Sequence, residues 1–227
     1  MKRADGRKPE DTRPIVAEVG VVENATGSAK FTIGKTTAIA AVYGPRPLHP
    51  RHLQVSNRAY LRTRYSLLPF STTDRCRPGP SRRSKEICKV TMNALEPAVF
   101  LEEFPKATID VFIDIMEADA GTRTAGINAA SMALADAGIP MRDLVTSIAG
   151  GMIDGVHVMD LAGKEEDASL CDLPIAYMPR LKKVTLMQLD GKIPTKDTAK
   201  VLKLAIKTCE NIYQVQKEAL KKKWVSK

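Results

Sequence analysis

The chain's 227 residues, 44% of them hydrophobic, suffice for one large domain or two fused halves and exclude wholesale disorder. No apolar run is long enough to span a bilayer, and the charged start Met1-Lys2-Arg3-Ala4-Asp5-Gly6-Arg7 is no secretory signal, so a cytoplasmic protein with no membrane association is expected. The net charge is +9, and between Arg46 and Lys85 ten basic residues stand against Asp74 alone, so one arginine-rich segment holds the whole surplus. A localised basic stripe is the expected footprint of a polyanion, single-stranded RNA or DNA first; a solvated surface or a contact with an acidic neighbouring subunit is the alternative.

In chain order, strand patterns come first, over 14–22, 29–33 and 36–43, with Gly34 turning between the last two. The loop 44–52 is stiffened by prolines and carries Arg46, His49, Arg51 and His52, a set suited to gripping a single strand by its backbone. Over 58–68 a strand puts Arg58, Tyr60, Arg62 and Arg64 on one face and Ala59, Leu61 and Tyr65 on the other. Prolines and Gly79 make 75–81 a loop. Ser81 then caps a helix bearing Ile87, Val90, Leu95 and Val99, which Pro97 should break. Residues 108–116 alternate as a strand. Alanine-rich 121–137 reads as a helix stopped by Gly138 and Pro140. Four more strands follow, over 147–152, 155–161, 173–178 and 183–189. Thr195 and Asp197 open a last amphipathic helix with Val201, Ala205, Ile212 and Val215 inward. Strand clusters followed by helices argue an α+β fold, mixed sheets packed with helices, rather than a doubly wound one.

Cys76, Cys88, Cys171 and Cys209 form no C-x-x-C pair, and the three histidines lack zinc-site spacing, so neither a disulfide framework nor a zinc centre is expected. Three places could carry chemistry. In Glu117-Ala118-Asp119-Ala120-Gly121-Thr122-Arg123-Thr124 a strand turns into a helix, and free amides at a helix start beside a hydroxyl and a guanidinium suit a phosphate-sized anion; a plain helix cap is the alternative. Arg82 and Arg83 oppose the dipole of the helix they begin, which makes sense if an anion sits there. Five carboxylates lie between Asp160 and Asp172, on what reads as a loop between strands. Such a cluster can hold Mg²⁺ through oxygen ligands or supply a general acid. Glu165 reads as part of a solvated acidic loop, whereas Asp172 opens an apolar strand and needs a partner.

The blocks Ala4–Pro9, Gly27–Ala29, Ala38–Pro45, Pro69–Thr72, Pro80–Arg83, Glu117–Arg123, Ala133–Leu144 and Asp172–Pro179 resemble, in this order, the RNase PH family, and within it the catalytic RNase PH-type subunits of the archaeal exosome. The resemblance spans nearly the whole chain. It implies a single RNase PH-type domain over 1–227 with the ribosomal-protein-S5-domain-2-like fold. It also implies a heterohexameric ring shared with a related inactive subunit, RNA-binding cap proteins, and phosphorolysis of RNA from its 3′ end. Inorganic phosphate is then the co-substrate, nucleoside diphosphates are the products, and 3′ tailing is the reverse reaction. Carried over by position, Gly121, Thr122, Arg123 and Arg83 bind phosphate, while Arg46, His49, Arg51, Arg82 and Arg83 bind RNA. Asp172 matches one of two active-site aspartates, and either Glu166 or Asp167 stands for the other. Asp172 with Asp167 would hold Mg²⁺, or Asp172 would protonate the leaving oxygen. A ring subunit that only binds RNA is the alternative, together with a two-metal hydrolase that would release monophosphates.

Overall fold

The computed structural model describes Arg3 and residues 5–225, without the side chains of Lys164 and Asp167. Ala4 and the Asp167 side chain, both singled out above, therefore lie outside the described residues. Two five-stranded sheets organise the chain. The first contains β1 (Ile15–Val19), β2 (Gly27–Ile33), β3 (Thr36–Pro47), β4 (Tyr60–Leu67) and β5 (Ala107–Glu117), in the order β1-β2-β3-β5-β4. It is mixed, because β4 runs parallel to β5 while the other pairs are antiparallel. The second contains β6 (Thr146–Ile153), β7 (Val156–Met159), β8 (Cys171–Met178), β9 (Lys183–Met187) and β10 (Asp190–Gly191), all antiparallel.

Helix α1 (Arg82–Leu95) begins where Ser81 and Ser84 cap it reciprocally, each side chain accepting the other's backbone N–H at 3.0 and 2.7 Å. It stops before Pro97, which sits in a short 3-10 turn, as expected for a residue that offers no N–H to the helix ladder. Helix α2 (Thr122–Asp136) is buried almost all round and touches both sheets. Its alanines permit that, since backbones approach closely only where side chains are small. Gly27 marks one such approach: a Cβ there would stand 2.1 Å from the Ala137 nitrogen. Asn128 of α2 joins sheet to helix, donating to the Ser147 carbonyl at 2.8 Å and accepting the Ser147 N–H at 2.9 Å.

Helix α4 (Thr195–Val225) packs against β1, β6 and β7. Val201, Ala205 and Ile212 face inward as the pattern predicts, but Val215 is only partly buried and Gln216 takes the inward place. Its Nε2 donates to Asn128 Oδ1 at 3.0 Å, while its buried Oε1 has no partner among the described residues. The segment 164–168, expected as loop, is a short helix α3 (Lys164–Ala168). One apolar cluster runs from Phe31 and Ile113 in the first sheet through Ile127 of α2 to Ile175 and Ile212. All four cysteines are free thiols. No helix of the described residues is long and apolar enough to cross a membrane.

The Gly27 approach is open to test. Gly27→Ala must push α2 off β2, and overpacking of this kind costs about 1–3 kcal/mol, so thermal unfolding should shift several degrees downward.

Candidate active site

The turn between β5 and α2 is built from positions that L side chains rarely favour. Ala120 and Gly121 both have left-handed φ, 61° and 66°. Thr36, fully buried on β3, holds the turn: its hydroxyl accepts the Asp119 N–H at 3.0 Å and donates to the Ala120 carbonyl at 2.7 Å. Gly121 is the N-cap and supplies no side-chain hydrogen bond, so the first amides of α2 keep their donors for an anion.

These amides border a cavity of about 510 Å³ lined by Gly121, Thr122 and Arg123 from the turn, Arg82 and Arg83 from α1, and Glu166, Asp172 and Asp190 from the second sheet and α3. Arg123 is held by Gln188 and Glu86: Nη1 donates to Gln188 Oε1 at 2.7 Å and Nη2 to Glu86 Oε2 at 3.1 Å. Its Nε is buried and has no acceptor among the described residues. No acidic residue stands in the first turn of α1 to neutralise Arg82 and Arg83.

Asp172 lies at the start of β8, with Asp190 directly across on β10. Burial, with the charges of Glu166 and Asp190 beside it, pushes the Asp172 carboxyl up to about 6 against the pull of Arg123 and Arg83. The partner that Asp172 was expected to need is therefore not a salt bridge. Burial and like charge in the cavity favour its neutral form instead.

Of the residues singled out in the sequence, Arg82, Arg83, Gly121, Thr122, Arg123, Glu166 and Asp172 all line this cavity. Arg46, His49 and Arg51 lie apart from it, at the end of β3 and the turn beyond, where all three are exposed. Arg46 and Arg62 both grip Asp110, a buried residue of β5; Arg62 Nε donates at 2.6 Å and Arg46 Nε at 2.8 Å. Part of the basic segment's charge is thus neutralised from outside that segment. Glu165 corrects the reading of a solvated acidic loop: it is buried, and the Arg3 guanidinium grips it bidentately at 2.6 and 3.0 Å. Glu86, Gln188 and Asp190 are site residues that the sequence did not announce. Gln188 sat at the tail of the strand expected over 183–189 and Asp190 just beyond it; nothing local signalled that β9 would end at Met187, leaving Gln188 to reach Arg123, or that Asp190 would pair with Asp172 through β10.

The 3′ exoribonuclease family matches the chain twice, its domain 1 over residues 11–140 and its domain 2 over residues 143–208. The chain is 55% identical to the exosome complex component Rrp41 of Pyrococcus abyssi over 224 residues, covering 99% of this chain and 90% of that one. It is 53% identical to the protein of the same name from Pyrobaculum arsenaticum over 225 residues, 99% of this chain and 92% of that one. The crystal structure of rice Rrp46 superposes with a TM-score of 0.88 at 23% identity, over 96% of this chain and 100% of that one, a likeness of fold. By sequence along its whole length, the chain belongs to the RNase PH-type 3′ exoribonuclease family.

Proposed function

We propose that this cavity is where RNA is degraded by phosphate, with Arg83, Arg123 and the α2 amides holding the nucleophile and Asp172 facing it. The chain is a phosphorolytic 3′→5′ exoribonuclease. The observation that carries the site assignment is the meeting of the two arginines, an uncapped helix start and one protonatable carboxyl in a single cavity. The two matched segments act as one RNase PH-type unit over 1–227, because the cavity takes its cations from the first and Glu166, Asp172 and Asp190 from the second.

An oxygen of inorganic phosphate attacks the phosphorus of the last linkage, the bond to the 3′-oxygen of the penultimate nucleotide breaks, and a nucleoside diphosphate leaves. Both reactants are anions, so the residues' work is to neutralise charge and hold the line of attack. Asp172, with its carboxyl near 6, donates the proton that the departing 3′-oxygen takes up. Among the described residues no group of three or more His, Cys, Asp or Glu side chains could hold a metal. In the alternative role, with Asp172 ionised rather than donating the proton, the oxygen donors of Asp172 and Glu166 would fit Mg²⁺, a cation often held by one or two carboxylates together with substrate phosphates. The ion would add charge neutralisation there. Asp167, the other residue expected to face the ion or the leaving oxygen, would join them if α3 presents it to the cavity.

Arg46, His49, Arg51 and Arg82 form the approach for single-stranded RNA through backbone contacts that carry no base information. The chain works in a cytoplasmic exosome ring alternating with a related inactive subunit, under RNA-binding cap proteins; its relatives' name as exosome components supports this reading.

Labelled RNA incubated with the assembled ring should release nucleoside diphosphates only when phosphate is present. Monophosphates would indicate hydrolysis, and no product at all a subunit that only binds RNA. Asp172→Asn and Arg123→Glu should each abolish trimming while the ring still assembles, as judged by size-exclusion chromatography; full activity in either removes the site assignment.

The raised carboxyl also predicts a stability effect. A folded-state value of about 6 against an ordinary 3.8 means that Asp172 stabilises the fold only below the lower value and loses that contribution as pH rises through the upper one. Asp172→Asn should therefore melt higher than the parent at pH 7.5 in chelator, by up to about 3 kcal/mol. The two should converge below pH 4.

A further inference from the structure

The mechanism leaves unused a buried charge cluster behind the cavity. Arg13, 5% exposed, sits just before β1, and every donor group of its guanidinium is engaged. Nε donates to Asp160 Oδ2 at 2.9 Å and Nη2 to Asp160 Oδ1 at 2.7 Å, while Nη1 donates to the main-chain carbonyl of Asp119. Asp160, 3% exposed and left-handed at φ 55°, also accepts the Arg13 N–H at 2.7 Å. Asp119 belongs to the turn that opens α2, and Asp160 begins the segment that leads into α3. One side chain therefore bridges the phosphate turn and the carboxylate segment.

Two contacts tighten the same joint. Asp119 and the start of α3 are already close, since a Cβ on Gly163 would meet Asp119 Oδ1 at 2.7 Å. From the other side, Arg3 holds Glu165 bidentately and its Nη2 donates to the Asp160 carbonyl at 2.7 Å. Glu165 points inward while its neighbour Glu166 lines the cavity, so anchoring one places the other.

We propose that Arg13 and Arg3 are positioning residues for phosphorolysis: by bridging Asp119, Asp160 and Glu165, they set the separation between the phosphate turn and the carboxylates that face it. The inference rests on the site assignment above. A planar fork is needed for the bridge, because a lysine is a point donor and cannot hold both carboxylate oxygens and the Asp119 carbonyl at once.

The experiment compares Arg13→Lys, Arg3→Lys and the core variant Ile212→Val in the ring reconstituted with its partner subunit. It measures kcat, KM for inorganic phosphate, KM for RNA and melting temperature. Misplacement by about 1 Å is worth up to roughly a hundredfold in rate, so Arg13→Lys should lower kcat roughly tenfold or more and raise KM for phosphate, with KM for RNA within about twofold of the parent. Arg3→Lys, which holds only the α3 side, should lower kcat and leave both KM values near the parent's. Ile212→Val should lose melting temperature without that split. Parent-like kcat and phosphate KM in Arg13→Lys, or losses that follow melting temperature as in Ile212→Val, overturn the proposal. If Arg13→Lys does not assemble, Arg3→Lys decides, and an unchanged kcat there overturns it. Arg123→Glu, run alongside, separates the two levels. If it too leaves phosphate dependence intact, the site assignment falls; if only the clasp variants are parent-like, the clasp alone falls.

Discussion

A free phosphate and an RNA phosphodiester repel one another, and the reaction requires them within bonding reach. That constraint explains the main features of the cavity. Cationic and amide donors come from two helix starts, α1 and α2, so positive charge surrounds one point from different directions. Glu166, Asp172 and Asp190 stand together across from them, and burial, with their mutual repulsion, raises the Asp172 carboxyl. Either half alone would be an ordinary surface feature. Together they are the arrangement on which the proposed site rests, donors for an anion facing a carboxyl that can carry a proton.

The two halves come from separate stretches of the chain, residues 82–123 and 166–190, and α2 is the element that brings them together. A helix buried almost all round has no solvent face to slide on, and its position is set by both sheets at once. The turn at Ala120–Gly121 is therefore fixed by packing far from it, through Gly27 and Asn128 as much as through Thr36. Left-handed backbone at Ala120 is costly in isolation, and it persists here because Thr36 and Arg13 bind the surrounding carbonyls.

Much of the site was legible in the residues. The strand-turn-helix at Gly121 has its own local signal, as do the cap at Ser81 with two arginines after it and a carboxylate opening the apolar strand at Asp172. What escaped has a common cause. Glu86, Gln188 and Asp190 become site residues only through cross-element contacts, and Asp190 meets Asp172 through a two-residue strand too short to leave a periodic pattern. Glu165 and Glu166 are adjacent and chemically alike, yet one is buried against Arg3 and the other lines the cavity. Arg46 and Arg62 read as bare cations until β5 supplied Asp110 between them.

The sequence by itself determined the local matters: where chains turn and cap, which strand faces are apolar, that α2 must be packed closely, and which family the chain resembles. These follow from backbone preferences and from spacing within a few residues. Only the tertiary structure decided which charges are neutralised and which are left to act. A charge's behaviour depends on burial and on partners more than a hundred positions away, as with Arg13 and Asp160 or Arg3 and Glu165, and no local pattern encodes that distance.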